Sequence, residues 1–202
     1  MTDEKTIKKY AGIYQAALKK EGYNDPEGKA LSYEKRLKGM YAEEIFRQHS
    51  QYPTTNAEYI YAVIAMCLEL KDMGLNNQEI IAFTDVAFAK RKKMFEVLEK
   101  GLDLLPNAWN IAKKWNISDY EKRTQDGSIT YDFFNVSEDR IEYRISHCMY
   151  VEMFEYFGIR PLAKLFCRTD ETAYSNLQRH VRFVRHSDLS EGDCCHDELS
   201  RK

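Results

Sequence analysis

The sequence predicts an α+β fold, an N-terminal helical bundle followed by a small antiparallel sheet with helices. Three observations carry that prediction. Apolar residues recur three and four apart through the first half of the chain, the period drops to two after Asp126-Gly127, and helical spacing then returns in two short stretches before the end. With 202 residues, 44% of them apolar and 13% aromatic, such a chain buries roughly 70% of its unfolded surface and needs no disulfide or metal staple.

The elements follow in order. From Lys5 to about Lys20 the positions Ile7, Tyr10, Ala11, Tyr14, Ala17 and Leu18 make one helical face, which Gly22 closes. After a break at Pro26-Glu-Gly28, Tyr33, Leu37, Met40, Tyr41, Ile45 and Phe46 predict a second amphipathic helix. Thr55 or Asn56 caps a third, which runs to Lys71 and is apolar nearly all round, so it belongs at the centre of the bundle with Cys67 as a small core side chain. Asn77 precedes a long helix to about Lys100, stopped by Gly101, and Pro106 opens a fifth. Then Ile129, Tyr131 and Phe133 alternate with polar residues, as do Ile141, Tyr143 and Ile145, which predicts a hairpin. Met149 to Phe157 is helical again and ends at Gly158. A helix led by Pro161 carries Leu162, Leu165 and Phe166, and Val181 and Phe183 alternate into the tail. With no Gly/Ser-rich linker and no internal repeat, the division is a helical region over 1–126 and an α+β region over 127–202, one compact domain overall or two fused subdomains meeting near residue 126.

Charge and termini exclude some functions. Thirty Lys and Arg face 32 Asp and Glu, a net charge of -2 with no basic stripe, so nucleic acid is not an expected partner. The N-terminal MTDEKTIKKYAG lacks the apolar core of a secretory signal, and the stretch from Tyr59 to Leu70 is too short and interrupted to span a bilayer. A cytoplasmic protein without membrane contact is expected, with its five cysteines reduced. The composition leaves a homo-oligomer open.

The chemistry gathers in the last third, which holds four of the five cysteines and four of the five histidines. Cys148 falls where the second hairpin strand gives way to a helix, Cys167 at the end of the Pro161 helix, and Cys195 after the turn signal Glu191-Gly192-Asp193. These three thiols are expected to converge in one pocket. Asp170 follows Cys167 by three residues, where a continued helical turn puts both on one face, and Asp193 and His196 flank Cys194-Cys195. His180 and His186 share a strand face with Val184, as bases or as backbone-satisfied histidines. Structural zinc sites use tight pairs such as Cys-x2-Cys, whereas the spacings here are 19 residues from Cys148 to Cys167 and 28 from there to Cys195. No metal and no cofactor is therefore expected, and the partner is a small-molecule substrate.

The succession Cys148 then Glu152-Met-Phe-Glu-Tyr-Phe-Gly158, Pro161-Leu-Ala-Lys-Leu-Phe-Cys167-Arg-Thr-Asp170 and Leu189-Ser-Glu-Gly-Asp-Cys-Cys195 resembles the L-2-amino-thiazoline-4-carboxylic acid hydrolase family over about residues 127 to 199. That pattern has a first cysteine before a helix ending in Gly, then Cys-x-x-Asp, then Gly-Asp-x-Cys. It falls on Cys148, Cys167, Asp170, Gly192, Asp193 and Cys195, with Cys194 in the variable position. Where the family more often continues with an acidic residue and aromatic or aliphatic strand residues, this chain has His196-Asp197-Glu198.

The resemblance implies a hydrolase acting on a non-peptide C–N bond of a cyclic isothiourea or amidine, opening the ring at the carbon between sulfur and nitrogen to an N-carbamoyl cysteine. It implies Cys195 or Cys167 as nucleophile, with Cys148 in the same site, Asp170 and Asp193 as orienting or proton-transferring carboxylates, His180 before His186 as base, and Arg182 or Arg185 on the substrate carboxylate. Cys67 and Cys194 are expected to be dispensable. A non-catalytic small-molecule or metal-binding protein using the same cysteines, and a structural protein with core cysteines, are the competing classes.

Overall fold

The computed structural model describes residues 4–202. The chain forms two compact units, the first ending at Ala89 and the second running from Lys90 to Lys202.

The first unit is helical: α1 (Glu4–Lys20), α2 (Pro26–Ala42), α3 (Glu44–His49), α4 (Ala57–Asp72) and α5 (Asn77–Ala87). Gly22 ends α1 with a positive φ of 73°. Pro26 opens α2 rather than breaking the chain, because a missing N–H costs nothing in a first turn; the Asp25 carboxylate accepts from Gly28 N at 3.1 Å. The break in this region lies instead at Glu43, in extended backbone, so Ile45 and Phe46 fall on α3. That bend lets the Phe46 ring meet Tyr41 and Tyr61, at 4.7 and 4.9 Å between centroids. Asn56 caps α4, whose buried residues run from Ile60 through Cys67 with no exposed face between them.

Asn76, one residue before the expected start, caps α5 in a reciprocal box with Glu79. The long helix predicted to Lys100 is interrupted at Phe88, whose ring packs edge-on against Tyr59 at 5.4 Å. A separate α6 (Ala89–Leu102) follows, its first residue closing the first unit.

In the second unit α7 (Ala108–Asp126) ends at Gly127, φ 75°, and leads into the predicted hairpin of β1 (Ile129–Val136) and β2 (Arg140–Cys148). Then come α8 (Met149–Tyr156), a 3-10 turn at Arg160–Ala163, α9 (Lys164–Ser175), β3 (Val181–Ser187) and β4 (Cys195–Arg201). The four strands make one antiparallel sheet in the order β1-β2-β4-β3. The last strand, which the alternation did not single out because its sequence CHDELSR is mostly polar, thus sits inside the sheet.

Two details set the site. First, β1 is bulged: Tyr131 pairs with Ile145 but Phe133 with Arg144, so Phe134 rather than Phe133 joins Tyr131 on the face of Tyr143. The Phe134 ring stacks on Tyr120 of α7 at 4.1 Å and 9°. Second, one row crosses the sheet on that face, Phe134, Tyr143, Asp197 and Arg185, with Ile145 and Cys195 in the row beside it. Helices α7, α8 and α9 pack against β1, β2 and β3 respectively. Among the described residues no helix is long and apolar enough to cross a membrane.

Candidate active site

Burial of a guanidinium and a carboxylate as neighbours is the feature on which the site is built. Arg185 and Asp197 face each other across β3 and β4, with side chains only 9% and 1% exposed. Arg185 donates from Nε to Asp197 Oδ1 at 2.8 Å and from Nη2 to Oδ2 at 2.7 Å, a parallel fork. Such a pair is tolerated in the interior because each charge fills the other's hydrogen-bonding positions. Burial works against the Arg185 charge, yet Asp197 and Asp170 more than offset it and hold its pKa above the ordinary value.

The remaining donors of Arg185 reach α9. Nη1 donates to the backbone oxygen of Cys167, and Nη2 lies 3.4 Å from Asp170. Cys167 sits in the first turn of α9 rather than at the end of a helix, because the 3-10 turn takes up the Pro161 segment and α9 continues to Ser175. The turn therefore does continue to Asp170, and Arg185 reaches both residues.

Cys195 opens β4. Its sulfur accepts from Leu189 N at 3.3 Å, and the preceding loop is shaped by Gly192 N bonding Asp188 O at 2.8 Å. A Cβ at Gly192 would lie 3.2 Å from that oxygen, so the close approach favours glycine. Arg160 clamps the loop from outside, donating to Leu189 O at 3.0 Å and Gly192 O at 2.7 Å. Cys148 stands at the junction of β2 and α8.

Electrostatics ties these side chains together. Burial pushes the Cys195 thiol up to about 12, with Cys148 and Asp197 adding to the rise and the Leu189 N–H and Arg185 opposing it. Cys167 is raised further by burial, then by Cys195 and Cys148. Burial also raises Cys148, while the N–H groups of Val151 and Tyr150 and the Arg123 charge pull it back. Asp170 is pushed up to about 6 by its surroundings against the pull of Arg185, with Asp197 reinforcing the rise.

The Asp170 side chain nevertheless keeps 54% of its surface open. A carboxylate that water touches but that protein surrounds closely enough to disfavour its charge lies in a recess. Tyr143 and Tyr174 adjoin it, both raised by burial and then by the nearby acids. Tyr174 also stacks on Phe183 at 5.0 Å.

The structure thus brings Cys148, Cys167, Cys195, Asp170 and Arg185 together. It places others elsewhere. His180 is in the turn before β3, its carbonyl accepting from Lys202 N, at the opposite end of the β3–β4 ladder from Cys195, on the order of 20 Å by strand rise. His186 is exposed on β3, its ring 4.6 Å from His196, which pairs with Glu142 at 3.0 Å on the outer face. Arg182 is exposed opposite Ser200, and Asp193 is exposed in the turn before β4. Cys194 lies 3.4 Å from the Ser187 hydroxyl, and Cys67 is fully buried in α4. All five cysteines are free, and no group of three or more His, Cys, Asp or Glu among the described residues is arranged to hold a metal ion. An open groove in the first unit, lined among others by Phe46, Ser50, Asn56 and Glu58, contains no thiol.

Sequence reasoning missed Asp197, Arg123 and Arg160. The inward alternation Cys195, Asp197, Leu199 was the available signal for the first. For the other two, single arginines in polar surroundings, there was none.

The profile of the family described as L-2-amino-thiazoline-4-carboxylic acid hydrolase matches residues 56–197. The chain belongs to that family. The match runs from the cap of α4 to the buried Asp197, so it takes in much of the helical part as well as every residue of the recess. No curated protein matches the chain. In this member of the L-2-amino-thiazoline-4-carboxylic acid hydrolase family Cys148, Cys167, Asp170 and Cys195 lie about the recess, while Asp193 is exposed in the turn before β4.

Proposed function

We propose that this chain hydrolyses a cyclic isothiourea carboxylate of the 2-amino-thiazoline-4-carboxylate type, with Asp170 as the proton-transferring group and the three thiols lining the site. One observation carries the reading: Asp170, near 6, is mostly ionised at neutral pH, while a thiol near 12 is ionised in roughly one molecule in 10^5 at pH 7. A resting thiolate nucleophile at Cys195 or Cys167 is therefore disfavoured, and water activated by a carboxylate is favoured.

In this mechanism Asp170 takes a proton from water as its oxygen adds to the ring carbon between sulfur and nitrogen. Asp170 passes that proton to the ring nitrogen as its carbon–nitrogen double bond becomes single; the tetrahedral centre then collapses with the electrons of the carbon–sulfur bond leaving on sulfur, and Asp170 carries the proton of the added hydroxyl to that sulfur. One water enters, one ring bond is lost, and the product is N-carbamoyl cysteine. Breaking the ring carbon–nitrogen bond, as the resemblance implied, would instead leave the carbamoyl group on sulfur, so an N-carbamoyl product requires the carbon–sulfur bond to be the one that breaks. Arg185 steadies Asp170 in its charged form, and the neutral, polarisable thiols offer a surface suited to a sulfur heterocycle.

The test is to incubate the purified protein with L-2-amino-thiazoline-4-carboxylate, following free thiol by disulfide exchange and the product by mass spectrometry. The expected result is one new thiol per substrate consumed, with the mass of substrate plus water. Binding without turnover would point to the small-molecule-binding class.

A further inference from the structure

Arg185 is fully engaged by Asp197, Asp170 and the Cys167 carbonyl, and Arg182, paired with Ser200, lies on the opposite face of β3, so neither offers a free fork to a substrate acid in the recess. Arg123 on α7 is different. Its Nε donates to Asp119 at 2.6 Å, Tyr150 lies with its ring centre 5.5 Å from the guanidinium carbon and its hydroxyl helping to hold the charge, and of the guanidinium nitrogens Nη1 is buried with no hydrogen-bond partner. A buried N–H of a charged group normally has an acceptor, and an orphan of this kind calls for one from outside the chain, an anion or a water. Its charge is felt by Cys148, by Asp170 and by Tyr131, which puts it on the recess. The side chain as a whole retains 17% of its surface, while Nη1 itself is covered.

We propose that Arg123 is the carboxylate anchor of the recess, binding a planar substrate acid through its unpaired N–H edge while Asp119 holds the other edge. This rests on the hydrolase reading for the identity of the substrate but not for the anion site itself. Arginine suits the task because its fixed fork matches a carboxylate.

The anion site is tested without turnover by alkylating the native protein with iodoacetate and with iodoacetamide and reading each cysteine by peptide mass spectrometry. In both reactions a sulfur–carbon bond forms, iodide leaves and the thiol proton goes to solvent, so the reagents differ in the carboxylate. The ratio of iodoacetate to iodoacetamide labelling is expected to be higher at Cys148 than at Cys194 of the same molecules by roughly tenfold, the scale of one charge-assisted contact. Arg123→Gln should abolish the difference and Arg123→Lys restore part of it. Equal ratios at the two cysteines, or no carboxymethylation of Cys148, overturn the anchor, and this comparison within the unmodified chain holds even if the variants fail to fold.

Turnover separates the two claims. With 2-amino-thiazoline-4-carboxylate, Arg123→Gln should raise KM by tenfold or more, and by clearly less for any reaction of 2-amino-thiazoline, which lacks the acid. If the native enzyme opens neither ring, the hydrolase reading fails while the labelling ratio still decides the anchor. If it opens the acid and Arg123→Gln leaves KM unchanged, the anchor fails and the hydrolase stands.

Discussion

Replacing Asp170 by asparagine keeps the shape of the side chain and removes a charge that its surroundings disfavour. The folded pKa near 6 lies above the unfolded value of about 3.9, so the folded state holds this proton more tightly. Its stabilising effect is full below about pH 4 and lost as pH rises through 6. Asp170→Asn should therefore melt no lower than the native protein at pH 8, and its advantage should vanish by about pH 4. Half-exposure of the side chain and the lost contact with Arg185 keep the gain small.

Asp197→Asn is the opposite case. It strips the buried Arg185 of its bidentate partner and should cost about 3 kcal/mol in denaturant unfolding, as removal of one member of a buried pair does. An unchanged midpoint would mean that the pair is not buried as described. At this scale the sequence was partly legible: the three-residue step from Cys167 to Asp170 could be read from helix geometry. Arg185 could be named but its partner could not, because the pairing depends on the register of a strand that did not look like one.

Among the elements, helices were read well where apolar spacing and caps coincide, as in α1, α4 and α8, and less well where a helix breaks beside an aromatic cluster. Glu43 and Phe88 mark two such places, and neither has Gly or Pro to announce it. The capping box of α5 gives a direct test: Asn76→Ala should lower stability by about 1 kcal/mol, measured by chemical denaturation. β4 was obscured because its inward positions include a thiol and an acid rather than aliphatic residues, so its alternation is visible in burial and not in hydropathy. Position on an element also separates the cysteines. Cys194→Ser, beside the Ser187 hydroxyl, should keep its fold and turn over within about twofold of the native rate. Loss of activity there, with Cys195→Ser still active, would reverse the assignment of the pair.

For the molecule as a whole, the change of apolar period after Gly127 marks where helix gives way to sheet, while α7 on its near side packs on β1 and contributes Arg123 to the recess. A site drawn from α7, the β2–α8 junction, α9, β3 and β4 joins residues up to 74 positions apart in sequence, from Arg123 to Asp197. Cysteine and aspartate spacing marks only part of such a site. The account rests on Asp170 being the group whose ionisation opens the ring. The most direct test is the pH dependence of kcat/KM for 2-amino-thiazoline-4-carboxylate between about pH 4.5 and 8, in the native protein and in Asp170→Asn. The account predicts a rate that rises with pH through an apparent pKa near 6 and then levels, and a variant that melts normally yet turns over on the order of a hundredfold more slowly with that rise gone. A variant that keeps the native rate and the same profile would contradict it.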